Sequence, residues 1–380
     1  MTPTPTSTGS QRLATIAQAR QLLLGGHLPA GALQPWVERS WQRCLQRGMQ
    51  PQHQAVFEVV SEALARHIRE ANQHLVQTAR PILENLGRAI VNTRYFAILT
   101  NREGVVVDNS GPIDHGDPRA HLITRVGTDL SECNVGTTAI STALAEQQPV
   151  WLHRGEHFFS NTAIYSCAGA PLLGPDGKLI GMLDLTGIDV LERPELKHLV
   201  TQTATQIENA LVLAQDHALL VRLNWPGGTL GGDADGLLCL DSDGWVTAAN
   251  PIARQMVPQL VSSSGASPGV RLHVSELFGM PVDVLFDALR HSNPRLELPL
   301  WTGLRLQALP VLRADESPSQ HRVHNALPDP RHLRDIETAL IRQAVDLYRG
   351  NVALAAQALG ISRATVYRKL GKRSVGLDSH

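Results

Sequence analysis

Six side chains close to the C terminus have the types and the spacing needed to bind nucleic acid. They are Ser362, Arg363, Thr365, Tyr367, Arg368 and Lys369. Arginine can form two hydrogen bonds with a guanine edge, lysine neutralises phosphate, and hydroxyl groups donate to phosphate oxygens. A helix surface that combines these groups is typical of DNA-binding motifs, so we predict that these residues contact double-stranded DNA.

Two short helices around a glycine are predicted to position these side chains. Apolar residues recur at helical spacing at Val352, Ala355, Ala356, Leu359, Val366 and Leu370. Gly360 between them can adopt the left-handed backbone that ends a helix without a steric cost. Ser362 is a favourable N-cap for the second helix. The pattern predicts a helix-turn-helix, with an ordinary helical hairpin as the alternative.

A second group of side chains could form a pocket for a small molecule. The group consists of His153, Phe158, Tyr165 and Cys167, which lie in and around a predicted sheet. Aromatic walls with a few polar groups are the usual composition of a ligand site, and residues 134–144, rich in small side chains, are predicted to cover it. Metal binding or redox sensing by His153, His157, Cys133 and Cys167 is an alternative, but neither CxxC nor HxxxH spacing supports it.

The sequence contains no combination of residues that predicts catalysis or a bound cofactor. The lysines are Lys178, Lys197, Lys369 and Lys372, and none stands in the GxxxxGK[ST] pattern of a phosphate-binding loop. No nucleophile–base pair or metal cluster is evident, so we predict neither catalytic nor metal-binding residues. A redox or hydrolytic enzyme with a DNA-binding tail, and a protein that only shapes the nucleoid, are the alternatives to a regulator.

Composition and charge agree with a control module that carries a basic tail. Hydrophobic residues make up 43% and charged residues 18% of the 380 residues, as in ordinary globular proteins. From residue 331 onward nine Lys and Arg oppose four Asp and Glu, so this tail carries +5 and the remainder −6 of the net −1. Widely spaced cysteines and the lack of a long apolar run predict a cytoplasmic protein that does not enter a membrane.

The order of the predicted elements indicates an α+β multidomain chain. The predicted parts are a disordered leader (1–10), a helical region (11–79), a sensor (80–222), a Gly-rich linker (223–235), an α/β module (236–312), a second linker (313–328) and an all-α DNA-binding domain (329–380). Residues 57–91 are predicted to form one long helix. The apolar stripe over residues 331–348 predicts a helix that pairs two copies of the chain in a homodimer.

Three segments resemble known families. The run GNVALAAQALGISRATVYRKL resembles the Fis-type helix-turn-helix that closes bacterial enhancer-binding activators. The run GTDLSECNVGTTAISTALAEQQPVWLHRGEHFFSNTAIYSCAGAPLLGPDGKLIGMLDLTG resembles the GAF domain of the acetoin-catabolism regulator family, in which this domain is the sensor. The run ADGLLCLDSDGWVTAANPIARQMV resembles the opening of a PAS domain.

The resemblance implies a transcription regulator that responds to a small-molecule effector. Activators of this family usually carry an AAA+ ATPase with a GAFTGA loop, which contacts the sigma-54 form of RNA polymerase. Neither feature is found in this sequence, so ATP-driven promoter opening is not expected. RNA polymerase or a partner regulator remains an expected partner in addition to DNA.

Overall fold

The structure, a computed structural model, describes residues 5–27, 31–262, 271–291 and 294–312, together with six residues nearer the C terminus. These six are Val345, Tyr348, Val352, Leu354, Ala356 and Val366. The chain divides into two compact units, Met1–Arg313 and Ala314–His380. Along the described part of the chain, no helix has both the length and the apolar character needed to cross a membrane.

Four helices precede the first strand. They are α1 (Pro5–Leu24), α2 (Pro35–Gln46), α3 (Glu62–Ala71) and α4 (Gln73–Ala89). Because α1 begins at Pro5, residues 5–10 are helical, whereas the sequence predicted a disordered leader over 1–10. Once a helix has formed, adding one more residue costs little free energy. Helix α1 therefore extends in the N-terminal direction beyond its apolar residues into a segment rich in Thr and Ser.

The predicted long helix over 57–91 is two helices. Asn72 separates α3 from α4, and its side-chain Nδ2 donates to the carbonyl of Ile68 at 2.8 Å. Asparagine competes for backbone hydrogen bonds in this way and so favours a helix end over a helix interior. The apolar stripe continues across the break, which is why periodicity alone did not indicate it.

The first sheet contains five antiparallel strands in the order β2-β1-β5-β4-β3. The strands are β1 (Tyr95–Asn101), β2 (Val106–Ser110), β3 (Val150–His153), β4 (Tyr165–Leu173) and β5 (Leu179–Ile188). The helices of this region are α5 (Pro118–Thr124), α6 (Glu132–Val135), α7 (Ala139–Glu146) and α8 (Leu196–Leu213), with short 3-10 turns at Arg154–Glu156 and Ser160–Thr162.

Both faces of this sheet are buried. Alternate residues of a strand point to opposite faces, so Phe96 and Ile98 join one hydrophobic cluster while Tyr95 and Leu99 join another. The cluster of Phe96 and Ile98 also contains residues of α2 and α7. The other cluster contains residues of α4 and α8. The sheet is thus the middle layer between two layers of helices.

The second sheet also has five antiparallel strands, in the order β8-β7-β6-β10-β9. The strands are β6 (Leu219–Asn224), β7 (Gly236–Leu240), β8 (Val246–Ala249), β9 (Leu296–Pro299) and β10 (Arg305–Leu312). The short helices α9 (Pro251–Met256), α10 (Gln259–Ser262), α11 (Val274–Leu277) and α12 (Asp283–Ala288) lie between them in the chain.

The central strand of the second sheet, β6, lies before the predicted start of this region at residue 236. The sequence assigned residues up to 222 to the sensor and residues 223–235 to a linker. Leu219, Val221 and Leu223 are fully buried in the core of the second sheet, and β6 pairs with both β7 and β10. The PAS-like assignment of this region stays a prediction.

The second unit contains a small hydrophobic cluster. Ala356 and Val366 are buried, and Val345 and Val352 pack against them. Val352, Ala356 and Val366 are three of the six positions at which the sequence predicted a buried face, and all three are helical. The all-α character of the whole tail stays a prediction, because most of its residues lie outside the described ones.

Candidate functional site

A small cavity lies on the face of the first sheet that α7 covers. Its volume is about 30 Å³, more than the roughly 10–15 Å³ that one water molecule needs. The sheet contributes Ile98, Tyr165, Cys167, Asp184 and Thr186, α7 and its N-cap contribute Thr138, Ala139 and Ile140, and other segments contribute Phe57, Ile123, Leu130, His157 and Thr162. The cavity thus has room for about one or two water molecules.

Two of the four side chains predicted for the pocket line this cavity, and His153 does not. Tyr165 and Cys167 belong to the lining, but the register pairs Cys167 with Leu152 and His153 with Ser166. A shift of one residue along a strand reverses the face. His153 therefore lies on the opposite side of the sheet, where its Nδ1 lies 2.6 Å from Oγ of Ser166 and its ring stacks on Trp151.

Phe158, the fourth predicted residue, is fully buried but is not part of the cavity wall. Its ring packs edge-on against Phe159, with a centroid distance of 5.2 Å. The aromatic wall comes from Phe57 instead, whose ring lies edge-on to Tyr165 at 6.5 Å. Phe57 lies in the predicted helical region, more than 100 residues before Tyr165, and no sequence signal connected the two.

The tight turn before α7 brings the covering segment close to the cavity. Gly136 has φ 63°, and a Cβ atom added there would lie 3.0 Å from side-chain atoms of Phe158 and Phe159. After this turn, the Thr138 side chain accepts from the Ser141 amide while the Ser141 hydroxyl accepts from the Thr138 amide. This reciprocal cap fixes the start of α7 over the sheet. Residues 134–144 thus cover the cavity through Thr138, Ala139 and Ile140, as the sequence predicted.

A connected polar network lies behind one side of the cavity, whose accessible surface is apolar. The Thr186 hydroxyl donates to Oδ2 of Asp184, and Sγ of Cys167 lies 3.2 Å from Oγ1 of Thr186 and 3.5 Å from Nε2 of His157. Burial raises the pKa of Asp184 to about 7 and lowers the pKa of His157 to about 4. At neutral pH His157 is therefore uncharged, while Asp184 divides between its two protonation states.

Cys167 is unsuited to nucleophilic or metal chemistry in this setting. Burial raises its pKa well above the ordinary value, so the sulfur stays a neutral thiol. Within the described ranges no three His, Cys, Asp or Glu side chains are grouped so that they could hold a metal ion. Cys133, the other cysteine of the metal alternative, is exposed.

Helix α2 contacts the segment that covers the cavity. Its Ser40 hydroxyl lies 2.7 Å from Oε1 of Glu132 and 2.8 Å from Oγ1 of Thr137. Arg43 bridges two acids, with 2.9 Å to Glu132 and 2.7 Å to Glu146 at the two ends of the covering segment. A change in the position of α7 would therefore alter the contacts of α2.

Helix α1 contacts the loop that carries His157. The Arg20 guanidinium donates to the backbone carbonyls of His157 at 2.6 Å and Phe158 at 3.0 Å. Arg12 forms an ion pair with Glu156 in the same loop at 2.9 Å. Both N-terminal helices are thus bonded to segments that surround the cavity.

The predicted DNA-binding residues cannot be placed in the same way. Ser362, Arg363, Thr365, Tyr367, Arg368 and Lys369 lie outside the described residues. Only the apolar cluster of Ala356, Val366, Val345 and Val352 reports on this segment. DNA contact by these six side chains therefore stays a prediction.

Comparison with protein families identifies the two segments. Residues 74–211 match the GAF domain, and residues 332–372 match the family described as bacterial regulatory protein, Fis family. The chain thus contains a GAF domain followed by a Fis-family helix-turn-helix segment, which confirms both resemblances.

Curated relatives carry names of transcriptional regulators. The acetoin catabolism regulatory protein of Cupriavidus necator is 28% identical over 312 residues, which are 77% of this chain and 45% of that protein. The acetoin dehydrogenase operon transcriptional activator AcoR of Bacillus subtilis is 26% identical over 242 residues, 62% of this chain and 39% of that protein. The chain spans less than half the length of these relatives.

Among solved structures, the E. coli DhaR(N)–DhaL complex contains a chain similar to this one. The similarity covers 73% of this chain and 100% of that chain, at 16% identity and a TM-score of 0.43.

Proposed function

We propose that the protein is a ligand-responsive bacterial transcription regulator, which binds double-stranded DNA through residues 332–372 and senses a small molecule in its GAF domain. One observation carries this proposal: a GAF domain with a small cavity beneath α7 shares its chain with a Fis-family segment. The names of the relatives, which are regulators and a transcriptional activator, support it.

The contacts around the cavity suggest how a bound effector acts on the rest of the protein. An effector that displaces α7 would change the bonds that Glu132 and Glu146 make with Arg43 of α2. We propose that this shift alters the packing of two copies in a cytoplasmic homodimer. The spacing or the mobility of the two recognition helices in the dimer would then change, and the affinity for a palindromic DNA site would change with it. RNA polymerase or a partner regulator would receive the signal.

The cavity chemistry does not favour a hydrolytic or redox enzyme. Cys167 is its one thiol, and burial keeps that thiol neutral. His157, the nearest base, donates through Nδ1 to the backbone carbonyl of Arg154 and is desolvated. We therefore propose a binding role for these groups. We also propose that the chain has no ATPase activity, because its sequence contains no GxxxxGK[ST] pattern.

DNA binding is tested by fluorescence anisotropy of a labelled duplex over a range of salt concentrations. The double variant Arg363→Ala/Arg368→Ala should bind at least about tenfold more weakly and with a smaller salt slope, since each lost phosphate contact reduces the slope by about one. Lys178→Ala is the matched control, because it removes an exposed positive charge on the GAF domain. Wild-type affinity in the double variant would overturn the assignment.

A further inference from the structure

The second sheet is hydrogen-bonded to the GAF domain along α8, the last helix of that domain. Nδ2 of Asn209 in α8 donates to the backbone carbonyl of Asp233 at 2.9 Å, and Oδ1 of Asn209 accepts from Nδ2 of Asn250 at 2.8 Å. One turn earlier, Nε2 of Gln206 donates to Oδ2 of Asp233 at 2.9 Å. Asp233 precedes β7 and Asn250 follows β8, so one face of α8 is bonded to the open end of this hairpin.

A second region of the GAF domain, the turn between β4 and β5, contacts the same part of the second sheet. The backbone carbonyl of Pro175 in this turn accepts from the amide of Ala249 at 3.0 Å and from Nη2 of Arg254 in α9 at 2.8 Å. The fit is close, because a Cβ atom added to Gly177 would lie 2.8 Å from guanidinium atoms of Arg254. The second sheet is therefore attached to two different elements of the GAF domain.

Asn250 is the side chain on which these contacts centre. It is fully buried, and it caps α9 by accepting from the amide of Ala253 at 2.8 Å. Its Oδ1 also accepts from the amide of Leu237 at 2.9 Å, and its Nδ2 donates to Asn209 and to the carbonyl of Asp235, both at 2.8 Å. A carboxamide can make four such bonds, and Asn250 makes all four. Loss of the bond to Asn209 would leave a buried donor unpaired, which is costly.

Helix α8 is also shared by the hydrophobic cores of the two sheets. Ile207 and Leu211 are buried in the cluster on one face of the first sheet. Val212, the next residue, is buried in a cluster with residues of the second sheet, which are Leu220, Leu237, Cys239 and Ala248. Separating the second sheet from α8 would expose this cluster to water and break the bond between Asn209 and Asn250, so both effects oppose separation.

We propose that the GAF domain and the second sheet form one cooperative unit, in which Asn209 and Arg254 hold α9 against both α8 and the β4–β5 turn. A change in the position of α8 or of this turn is then passed to the second sheet instead of being absorbed by a loose connection. The second sheet lies between the GAF domain and the Fis-family segment in the chain, so these contacts give the GAF domain a route to it in addition to α2. The inference rests on the proposed function for this regulatory meaning, but its test uses no DNA.

Hydrogen exchange of the full chain, measured by mass spectrometry, tests this inference. Val150→Ala removes methyl groups that are fully buried on the face of the first sheet opposite α8, and it should destabilise the GAF domain. In one cooperative unit, exchange of the most protected amides should rise at least about tenfold and by the same factor in both sheets. Leu238→Ala, at a fully buried position of β7, should act in the reverse direction and speed exchange in β4 and β5.

A double variant separates the two sheets. Asn209→Ala/Arg254→Ala removes the side-chain contacts with α8 and with the β4–β5 turn, and it keeps the cap that Asn250 makes on α9. In this background, Val150→Ala should speed exchange in β4 and β5 at least about tenfold more than in β6 and β7. Asn85→Ala/Arg88→Ala is the matched control, because it changes the same residue types on the exposed face of α4 and should leave the two sheets coupled.

The urea dependence of exchange in the wild type provides a readout that does not require a variant to fold. The most protected amides of the two sheets should show the same dependence on urea, because they are exposed in one opening event. Three results would overturn the inference: different urea dependences of the two sheets, a response to Val150→Ala in the first sheet alone, or coupling that persists in Asn209→Ala/Arg254→Ala. Failure of the proposed function has a different signature, since it would leave the exchange unchanged and remove the effect of Arg363→Ala/Arg368→Ala on DNA.

Discussion

At the scale of single residues, Asp184 illustrates how a buried acid can reduce stability. Burial raises its pKa from the ordinary 3.8 to about 7, against the opposing hydrogen bond from Thr186. The folded protein therefore holds a proton that the unfolded chain releases, and stability is lost as pH rises from about 4 through 7. The fold keeps this buried acid at the expense of folding free energy.

We expect the substitution Asp184→Asn to remove this dependence. Between pH 5 and pH 8 the free energy of unfolding of the wild type should fall relative to that of Asp184→Asn by about 3 kcal/mol, given about 1.4 kcal/mol for each pH unit between 5 and the folded pKa of about 7. Urea unfolding at the two pH values measures the difference. Asp189→Asn, which makes the same chemical change at a half-exposed acid, is the control for the substitution itself. A constant gap between wild type and Asp184→Asn would contradict the burial argument.

The candidate site could be predicted only in part, because residue type does not indicate which face of a strand a residue occupies. Tyr165 and Cys167 are two residues apart on one strand, so the sequence indicates that they share a face. His153 belongs to another strand. Its face depends on the register of β3 against β4, which pairs it with Ser166. Asp184 lies in an apolar run whose polar residues gave no sign that they meet in a cavity. Phe57 reaches the site through tertiary packing alone.

At the scale of elements, the ion pairs between α2 and the covering segment differ in burial. Arg43 is half-buried and bridges Glu132 and Glu146, both nearly buried. Arg39 also contacts Glu146 but its side chain is 49% exposed. A half-buried bridge should matter more than an exposed pair, because its loss removes a charged partner from two carboxylates that are largely shielded from water.

Replacing these arginines one at a time separates the two cases. Arg43→Ala should lower the free energy of unfolding by about 1–2 kcal/mol, since Glu132 keeps Arg47 and Glu146 keeps Arg39 but each loses the shared guanidinium. Arg39→Ala should cost less than about 1 kcal/mol. Chemical denaturation of both variants gives the comparison. Equal losses would mean that the bridge does not hold α2 on the covering segment.

In the C-terminal unit, the apolar cluster predicts which positions hold the DNA-binding helices together. Val366 is fully buried against Ala356, so Val366→Ala should destabilise the unit by about 1–3 kcal/mol and weaken DNA binding as the unit unfolds. Leu354, which is 48% exposed, provides the control, and Leu354→Ala should cost much less. Calorimetric unfolding and duplex anisotropy measure both effects. Similar losses at the two positions would contradict the buried assignment.

Element-scale predictions from sequence succeeded where the pattern is local. The strands around Cys167 and the helix 139–146 follow local periodicity and turn residues. The central strand β6 was missed because it follows a long helix directly and pairs with β10, more than 80 residues later. Pairing between segments so far apart in the chain leaves no local periodic pattern in the sequence that would distinguish the strand from a loop. The break at Asn72 was missed because the stripe on both sides stays in phase.

At the scale of the whole molecule, the account predicts a regulator that works without nucleotide hydrolysis. The sequence contains no GxxxxGK[ST] loop, and phosphate groups are normally held by such a loop and its lysine. Purified protein should therefore release no phosphate from ATP, with or without DNA. Turnover that survives repurification and scales with protein concentration would contradict this expectation.

The central claim, that this chain is a sequence-specific DNA-binding regulator, is tested most directly by selecting sequences that the full-length protein binds from a random pool of duplexes. Two recognition helices in a dimer should read two half-sites related by two-fold symmetry. The wild type should therefore enrich a palindromic sequence, and Arg363→Ala/Arg368→Ala should enrich none. The claim is contradicted if the wild type enriches no sequence, or if the double variant enriches the same one.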